Sequence, residues 1–337
     1  MSGFLKTLFG SSTPQYLACP FCLTRQSLRQ TPGRYFCTYQ ECAKEIPLAY
    51  VREIQQVEPI SVHAVGFTYH GKSVYLSSLI DHLELMAYLW NGGNLRNLNQ
   101  SSLDYVREHR RMISQGDLPV PTSPDFPVPV IMHLKGMAKW QNKCLVMYDT
   151  AGENFAKIET TSSNGRFVAH AQTSLFLVSL KDLPDTPGFR ISDLFDVYLA
   201  TLDQLGSTVA GRNVIVVYTK ADLFWERLPD AVSRYLLADN LWESIRQFKR
   251  LGLSDADMRQ YVQHMRDISD ALRDFTIQSV ESGLNLINSA QERQINLQFA
   301  VNSALGSAPG SDNRLTAPPS PRRVLDPFFW TLELSRS

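Results

Sequence analysis

The sequence predicts an α/β fold: a mostly parallel sheet covered by helices on both faces, with a small cysteine-rich module in front of it. Three observations predict this. From about residue 58 onward, six short β-branched and aliphatic runs alternate with helical stretches. Most of these runs are continuously hydrophobic, the mark of strands buried on both faces. Four of the five cysteines fall between Cys19 and Cys42, ahead of the first run.

In chain order, residues 1–15 read as an arm in which Phe4, Leu5, Leu8 and Phe9 share one helical face. It is either a weak membrane or partner anchor or a loosely docked terminus. Residues 16–50 hold the cysteine cluster. The strands expected next are 59–66, 128–134, 143–149, 174–180, 213–219 and 295–301. Only "KGMAKWQN" separates the second from the third, too short for a crossover helix, so these two should pair as an antiparallel hairpin. Helices are expected over 72–90, 102–115, 192–206, 239–250 and 254–280, the last capped by Ser254 with Asp255 and Asp257. Residues 307–323, rich in Ser, Pro and Gly, read as a linker. The apolar stretch 324–337 reads as a segment that docks back onto the body.

The 337 residues are enough for a sizeable core, and 33 basic side chains balance 33 acidic ones. No global field therefore draws in nucleic acid or an anionic membrane. No apolar run approaches the ~20 residues that cross a bilayer, and the start has no secretory signal pattern. The expected location is the cytoplasm.

"GFTYHGKS" fits G-x-x-x-x-G-K-[ST] with Gly66, Gly71, Lys72 and Ser73. A buried strand leads into it and a helix leaves it, which is the order a phosphate-binding loop requires. Glycines let main-chain amides turn onto the phosphates, Lys72 places a cation on the β and γ oxygens, and the Ser73 hydroxyl suits Mg²⁺. Phe67, Thr68, Tyr69 and His70 supply mainly backbone, and Val74 is a further candidate binding residue. "DTAGE" ends a later strand in D-x-x-G. Asp149 there would hold magnesium through water, and the Gly152 amide would bond the γ-phosphate and swing away once that group is gone.

"TKAD" ends another strand. The Asp222 carboxylate accepts from two N–H groups of guanine that adenine does not offer, which argues for GTP over ATP. Lys220 would lie along the base, and Thr219 would tie this loop to the phosphate loop. Ser303, Ala304 and Leu305 follow the last strand and would aim N–H groups at the guanine oxygen.

This order of motifs resembles the TRAFAC class of P-loop GTPases over residues 58–306. The resemblance implies a mostly parallel six-stranded sheet with one antiparallel strand. It also implies a switch I threonine that closes over magnesium and the γ-phosphate. Thr122, in "LPVPTSPDFP", is the candidate; a plain loop threonine is the competing reading. Glu153 stands where Ras-like GTPases carry the glutamine that orients the attacking water, and its charge faces an anion. Thr68 and Tyr69 replace the small residues that admit an arginine finger. Slow intrinsic hydrolysis, raised by a partner or by dimerisation, is the expectation. Lys72, Thr122 and Glu153 are the candidate catalytic residues.

Cys19, Cys22, Cys37 and Cys42 form C-x2-C-x14-C-x4-C. Two thiolate knuckles converging on one structural zinc fit this spacing, with free thiols or redox use as the alternative. Four thiolates leave no open coordination position, so the zinc is not expected to be catalytic. Cys144 reads as a small buried hydrophobe. The mild charge of the module favours a protein contact over a nucleic-acid one.

A zinc ribbon joined to such a G domain, with "HGKSVYLSSLI", "YDTAGENF" and "RVLDPFFW", is similar to the bacterial double-GTPase families associated with conflict and defence systems. That resemblance implies a second GTPase-like partner and an effector. The insertion between Asp222 and Ser303 is either a partner surface or a cover for the sheet. Two other functions compete with a GTP-dependent switch: an RNA- or ribosome-directed GTPase that grips with the ribbon, and a nucleotide-binding scaffold that does not turn over.

Overall fold

The computed structural model describes residues 17–335, apart from 27, 41, 58, 90–92, 138, 141, 184–189, 240, 242, 244–246, 248–253 and 313. The expected arm at 1–15 and most of the expected helix at 239–250 lie outside the described residues. The chain forms two compact units, residues 1–58 and 59–337.

In the first unit, β1 (Leu17–Ala18) pairs with β2 (Arg25–Gln26). Strands β3 (Leu28–Thr31), β4 (Arg34–Cys37) and β5 (Glu45–Ile46) make a second antiparallel sheet. Helix α1 (Leu48–Ile54) follows, and its Tyr50 hydroxyl donates to Ala18 O at 3.0 Å. Both cysteine knuckles are tight turns that end in a left-handed residue: Leu23 (φ 64°) after Cys22 and Ala43 (φ 44°) after Cys42.

In the second unit the strands are β6 (Pro59–Val65), β7 (Asn94–Asn97), β8 (Val130–Lys135), β9 (Lys143–Tyr148), β10 (Thr173–Ser179), β11 (Asn213–Thr219) and β12 (Asn296–Val301). They form one sheet in the order β12-β11-β10-β6-β9-β8-β7. Strand β8 runs antiparallel to both neighbours, as the short 136–142 connection requires, and the other strands run the same way. The sheet has seven strands where six were expected. The additional one, β7, is the edge strand "NLRN", whose polar sequence carries no hydrophobic run because an edge needs no burial on both faces.

The helices are α2 (Lys72–Leu89), α3 (Gln100–Ser114), α4 (Ile158–Asn164), α5 (Ile191–Gln204), α6 (Ala221–Phe224), α7 (Asp230–Leu237), α8 (Asp255–Ser279), α9 (Gly283–Glu292) and α10 (Asp326–Leu334). Ser254 starts α8 with a capping box: its hydroxyl accepts from Asp257 N–H, and the Asp257 carboxylate accepts from Ser254 N–H. No helix among the described residues is long and apolar enough to cross a membrane.

Residues 307–323 have no helix among those described and run along the body through isolated bridges, Asp117 with Arg314 and Ser303 with Arg322. Buried Arg323 then donates to Tyr235 O and Ala238 O, and buried Asp326 accepts from the Tyr235 and Tyr261 hydroxyls. In α10, Phe328, Phe329, Trp330 and Leu332 are buried, and Phe329 stacks on Trp140.

Candidate functional site

The site lies at the carboxyl ends of β6, β9, β11 and β12, where open α/β sheets bind ligands. Strand β6 ends at Val65, and residues 66–71 turn the chain into α2. Gly66 is held close to the next strand: a Cβ there would lie 2.7 Å from Leu177 O. Gly71 has φ 83°, and Tyr69, 85% exposed, takes the left-handed region at φ 68°, a strained backbone for a large side chain. His70 braces the loop, with Nδ1 donating to Leu177 O at 2.7 Å and Nε2 3.6 Å from Asp182. Burial pushes its pKa down to about 4, so the ring is neutral near pH 7. The Thr219 hydroxyl donates to His70 O at 3.0 Å, which is the tie expected between the base loop and the phosphate loop.

Lys72 Nζ donates to Gly66 O and Phe67 O, each at 2.9 Å, so the buried ammonium lies across the mouth of its own loop. Burial pushes its pKa down to about 8, with Asp149 opposing. The first helical bond of α2 runs from Tyr75 N–H to Gly71 O, so the amides of Lys72, Ser73 and Val74 precede the helical ladder. Amides in that position face an incoming anion.

Ser73, Thr122 and Asp149, far apart in sequence, come together. Ser73 Oγ donates to Asp149 Oδ1 at 2.9 Å and lies 2.8 Å from Thr122 Oγ1, which is 3.3 Å from Asp149 Oδ2. Burial raises the Asp149 pKa, against the hydrogen bonds from Ser73 and Tyr105. Two residues that the sequence did not single out complete this region. The Tyr105 hydroxyl donates to Asp149 Oδ2 at 3.1 Å. Buried Asn154 donates through Nδ2 to Pro124 O at 2.8 Å and to Thr150 Oγ1 at 2.9 Å, joining the Thr122 segment to the D-x-x-G turn. Gly152 opens a 3-10 turn (Gly152–Phe155) so close to the phosphate loop that a Cβ would lie 2.2 Å from Thr68 N. Glu153 beside it is exposed.

At the end of β11, Lys220 takes φ 57° and begins α6, placing Asp222 in its first turn. The Ala221 N–H donates to Asn302 O at 3.2 Å, which brings the T-K-x-D loop against the loop of Ser303, Ala304 and Leu305. Burial lowers the Lys220 pKa, with Asp182 opposing. Ser303 is buried and its Oγ accepts from Gly306 N–H, while Ala304, Leu305 and Val74 line one side of a cavity of about 490 Å³. Asn302 is fully buried, and neither end of its amide has a hydrogen-bond partner among the described residues. A buried amide left so is costly in a closed core and suits a place that a polar ligand completes.

In the first unit the four Sγ atoms of Cys19, Cys22, Cys37 and Cys42 lie within 4.8 Å of one another. Cys19 and Cys42 are 3.9 Å apart and Cys22 and Cys37 3.6 Å apart, sulfur to sulfur, and all four are free thiols. Tetrahedral zinc with Zn–S near 2.3 Å has a sulfur–sulfur edge of about 3.8 Å, so the cluster fits a zinc ribbon. Burial pushes Cys19 well up and Cys37 up to about 11, so these thiols would stay protonated without a cation among them. Cys144 is separate and buried in β9.

A phosphate loop, a D-x-x-G turn and a base loop at the ends of parallel strands define a P-loop nucleotide-binding protein. The family model DO-GTPase2, Double-GTPase 2, matches residues 62–276, more than half of the chain. The chain belongs to the Double-GTPase 2 family, and with it to proteins that bind and hydrolyse GTP. No curated protein sequence matches the chain.

Among solved structures, the signal recognition particle receptor SRb-GTP/SRX complex from Chaetomium thermophilum is 14% identical with a TM-score of 0.34. That match covers 76% of this chain and 95% of that one. The GTPase-like domain of S. cerevisiae Ski7, bound to GDP and inorganic phosphate, is 14% identical with a TM-score of 0.33, covering 84% of this chain and 52% of that one. These TM-scores are too low for any residue of those proteins to be carried over to this chain.

Proposed function

We propose that the protein is a magnesium-dependent GTP switch of the TRAFAC type with slow intrinsic hydrolysis, activated by a partner. The convergence of Ser73, Thr122 and Asp149 on one point beside Lys72 carries this reading. That oxygen set suits a hard cation, and Gly66 and Gly152 let the phosphate loop pack directly against β10 and the D-x-x-G turn, where a Cβ would meet main-chain atoms. Magnesium, when bound, would neutralise charge on the β- and γ-phosphates. The Ser73 and Thr122 hydroxyls would hold it directly, and Asp149 through water. Lys72 would leave Gly66 O and Phe67 O for the phosphate oxygens, and the amides before α2 would cradle them. Asp222 would read guanine, with Lys220 along the base and Ser303, Ala304 and Leu305 closing its oxygen edge.

Slow turnover follows from Glu153, an exposed acid beside the attacking side of an anion. Thr68 and the exposed Tyr69 stand where small residues would admit an arginine finger. A partner must supply what these positions lack. The reading extends to a second GTPase-like protein and an effector in a bacterial conflict or defence system, with the ribbon holding structural zinc and making a protein contact in the cytoplasm. In the ribbon, Arg34 pairs with Glu45, and Arg29 and Lys44 lie over the Phe36 and Phe21 rings. The mild net charge of the module favours a protein contact over an RNA grip.

The test is calorimetry of wild type and Asp222→Asn with GTP, ATP and XTP. Wild type should prefer GTP, and Asn, which offers a donor where Asp accepts, should move the preference toward XTP. Equal binding of GTP and ATP by wild type sinks the reading. Phosphate release no greater from wild type than from Lys72→Ala would replace the switch by a non-hydrolysing scaffold.

A further inference from the structure

Asp149 is held from three directions, and the third is not part of the motif set. Ser73 lies on the first turn of α2, and Thr122 on the irregular segment 118–129. Tyr105 lies mid-way along α3, a helix inserted between α2 and the Thr122 segment. That helix is clamped to α2: Arg110 of α3 bonds Asp81 at 2.8 Å and also reaches Glu84. The Tyr105 ring is further fixed by stacking on His109, centroids 3.8 Å apart. Just beyond α3, Gly116 O accepts from Leu315 N–H at 2.7 Å, and Arg314 pairs with Asp117 at 3.1 Å. Thus Thr122 can leave Asp149 when its loop opens, whereas the Tyr105 hydroxyl is carried by a helix anchored on both sides.

We infer that Tyr105 is a positioning residue that holds Asp149 Oδ2, so that Oδ1 stays aimed at Ser73 and the magnesium water whether or not Thr122 is engaged. This rests on the proposed reading of the site. Its consequence is a magnesium affinity that persists after the γ-phosphate is gone and Thr122 has disengaged, which keeps GDP in place. Partners that orient a metal-binding carboxylate typically account for about 10–100-fold in metal affinity.

The experiment loads full-length wild type and Tyr105→Phe with a fluorescent GDP and follows its release at buffered free Mg²⁺ from zero to millimolar. Phe keeps the ring and its stacking and removes one oxygen, and a melting curve of each protein checks the fold. In excess chelator the two should release GDP at the same rate. The free Mg²⁺ that half-slows release should rise at least tenfold in Tyr105→Phe. Adding Tyr105→Phe to Asp149→Asn should change that midpoint no further, since the hydroxyl acts through the carboxylate. A midpoint within about threefold of wild type in folded Tyr105→Phe overturns the inference and leaves the switch reading standing. An equal effect in both Asp149 backgrounds assigns the tyrosine a packing role and also overturns it. Wild type whose GDP release ignores Mg²⁺ altogether removes the switch reading, and this inference with it.

Discussion

Gly152→Ala isolates the contact between the D-x-x-G turn and the phosphate loop. The added methyl would lie 2.2 Å from Thr68 N, 2.4 Å from Phe67 C and 2.5 Å from Thr68 Cα, all main-chain atoms that no rotamer change moves aside. Ordinary contact begins near 3.4 Å. The turn and the loop must therefore part by about 1.2 Å to restore van der Waals distance. A displacement of about 1 Å at a reacting group costs on the order of 100-fold in rate, about 2.7 kcal/mol. On the proposed reading the Gly152 amide would meet only the γ-phosphate, so the loss should fall on the triphosphate state. Single-turnover GTP hydrolysis should drop about 100-fold and GTPγS affinity about tenfold, while GDP affinity stays within threefold. Equal weakening of GDP and GTPγS would show that the methyl deforms the phosphate loop as a whole. Hydrolysis within threefold of wild type would refute the reasoning.

Cys22→Ser should lower bound zinc from one per chain to near zero by elemental analysis; undiminished zinc would mean that the four thiols are not the ligands. His63, His70 and His82 are buried, and burial pushes their pKa values down to about 3, 4 and 4. A depressed folded pKa gives stability that is whole above the unfolded value of about 6.5 and is lost as pH falls toward 4. At pH 5 the loss is up to about 2 kcal/mol for each ring, so melts should fall steeply between pH 6.5 and 5, and a flat profile would contradict buried neutral rings. Lys72, near 8 in the free protein, must be charged to hold phosphate. Nucleotide affinity measured with chelator should be flat below pH 8 and decline above it, and constancy to pH 9.5 would count against its placement on the phosphates.

How much of this was legible depended on whether a local constraint wrote itself into adjacent residues. Gly66, Gly71, Lys72 and Ser73 are readable because phosphate binding fixes residue types over a short span, and α8 because Ser254 and Asp257 cap it reciprocally. The central strands announce themselves by burial on both faces. Strand β7 does not, because its pairing with β8 supplies main-chain bonds and little apolar burial. Helix α4, "IETTSSN", has weak helical propensity and is held instead by Thr161 Oγ1 donating to Asn154 O. Tyr105 touches Asp149 only through the packing of α3 on α2, and no spacing in the sequence encodes that. The orphaned amide of Asn302 is likewise visible only once burial is known.

The Thr122 segment explains why nucleotide state alone would be a weak signal here. Among the described residues four contacts hold it: Thr122 to Ser73 and Asp149, Asn154 Nδ2 to Pro124 O, the Phe126 ring against Tyr148 and Phe167, and the Arg166 guanidinium 4.5 Å over that ring. Only the first involves groups that metal and γ-phosphate would touch. Its hydrogen bonds are worth about 1 kcal/mol each, comparable to the Asn154 bond alone, and the half-buried Phe126 adds roughly another 1–2 kcal/mol that is independent of nucleotide. Reversing a two-state equilibrium from 1:99 to 99:1 takes about 5.5 kcal/mol. Loss of the γ-phosphate would therefore release Thr122 without freeing the segment, and the remaining energy must come from a surface that competes for Phe126 or Asn154. On the proposed reading, a partner that supplies what Glu153 cannot would also complete the conformational change, so activation and readout would depend on one contact.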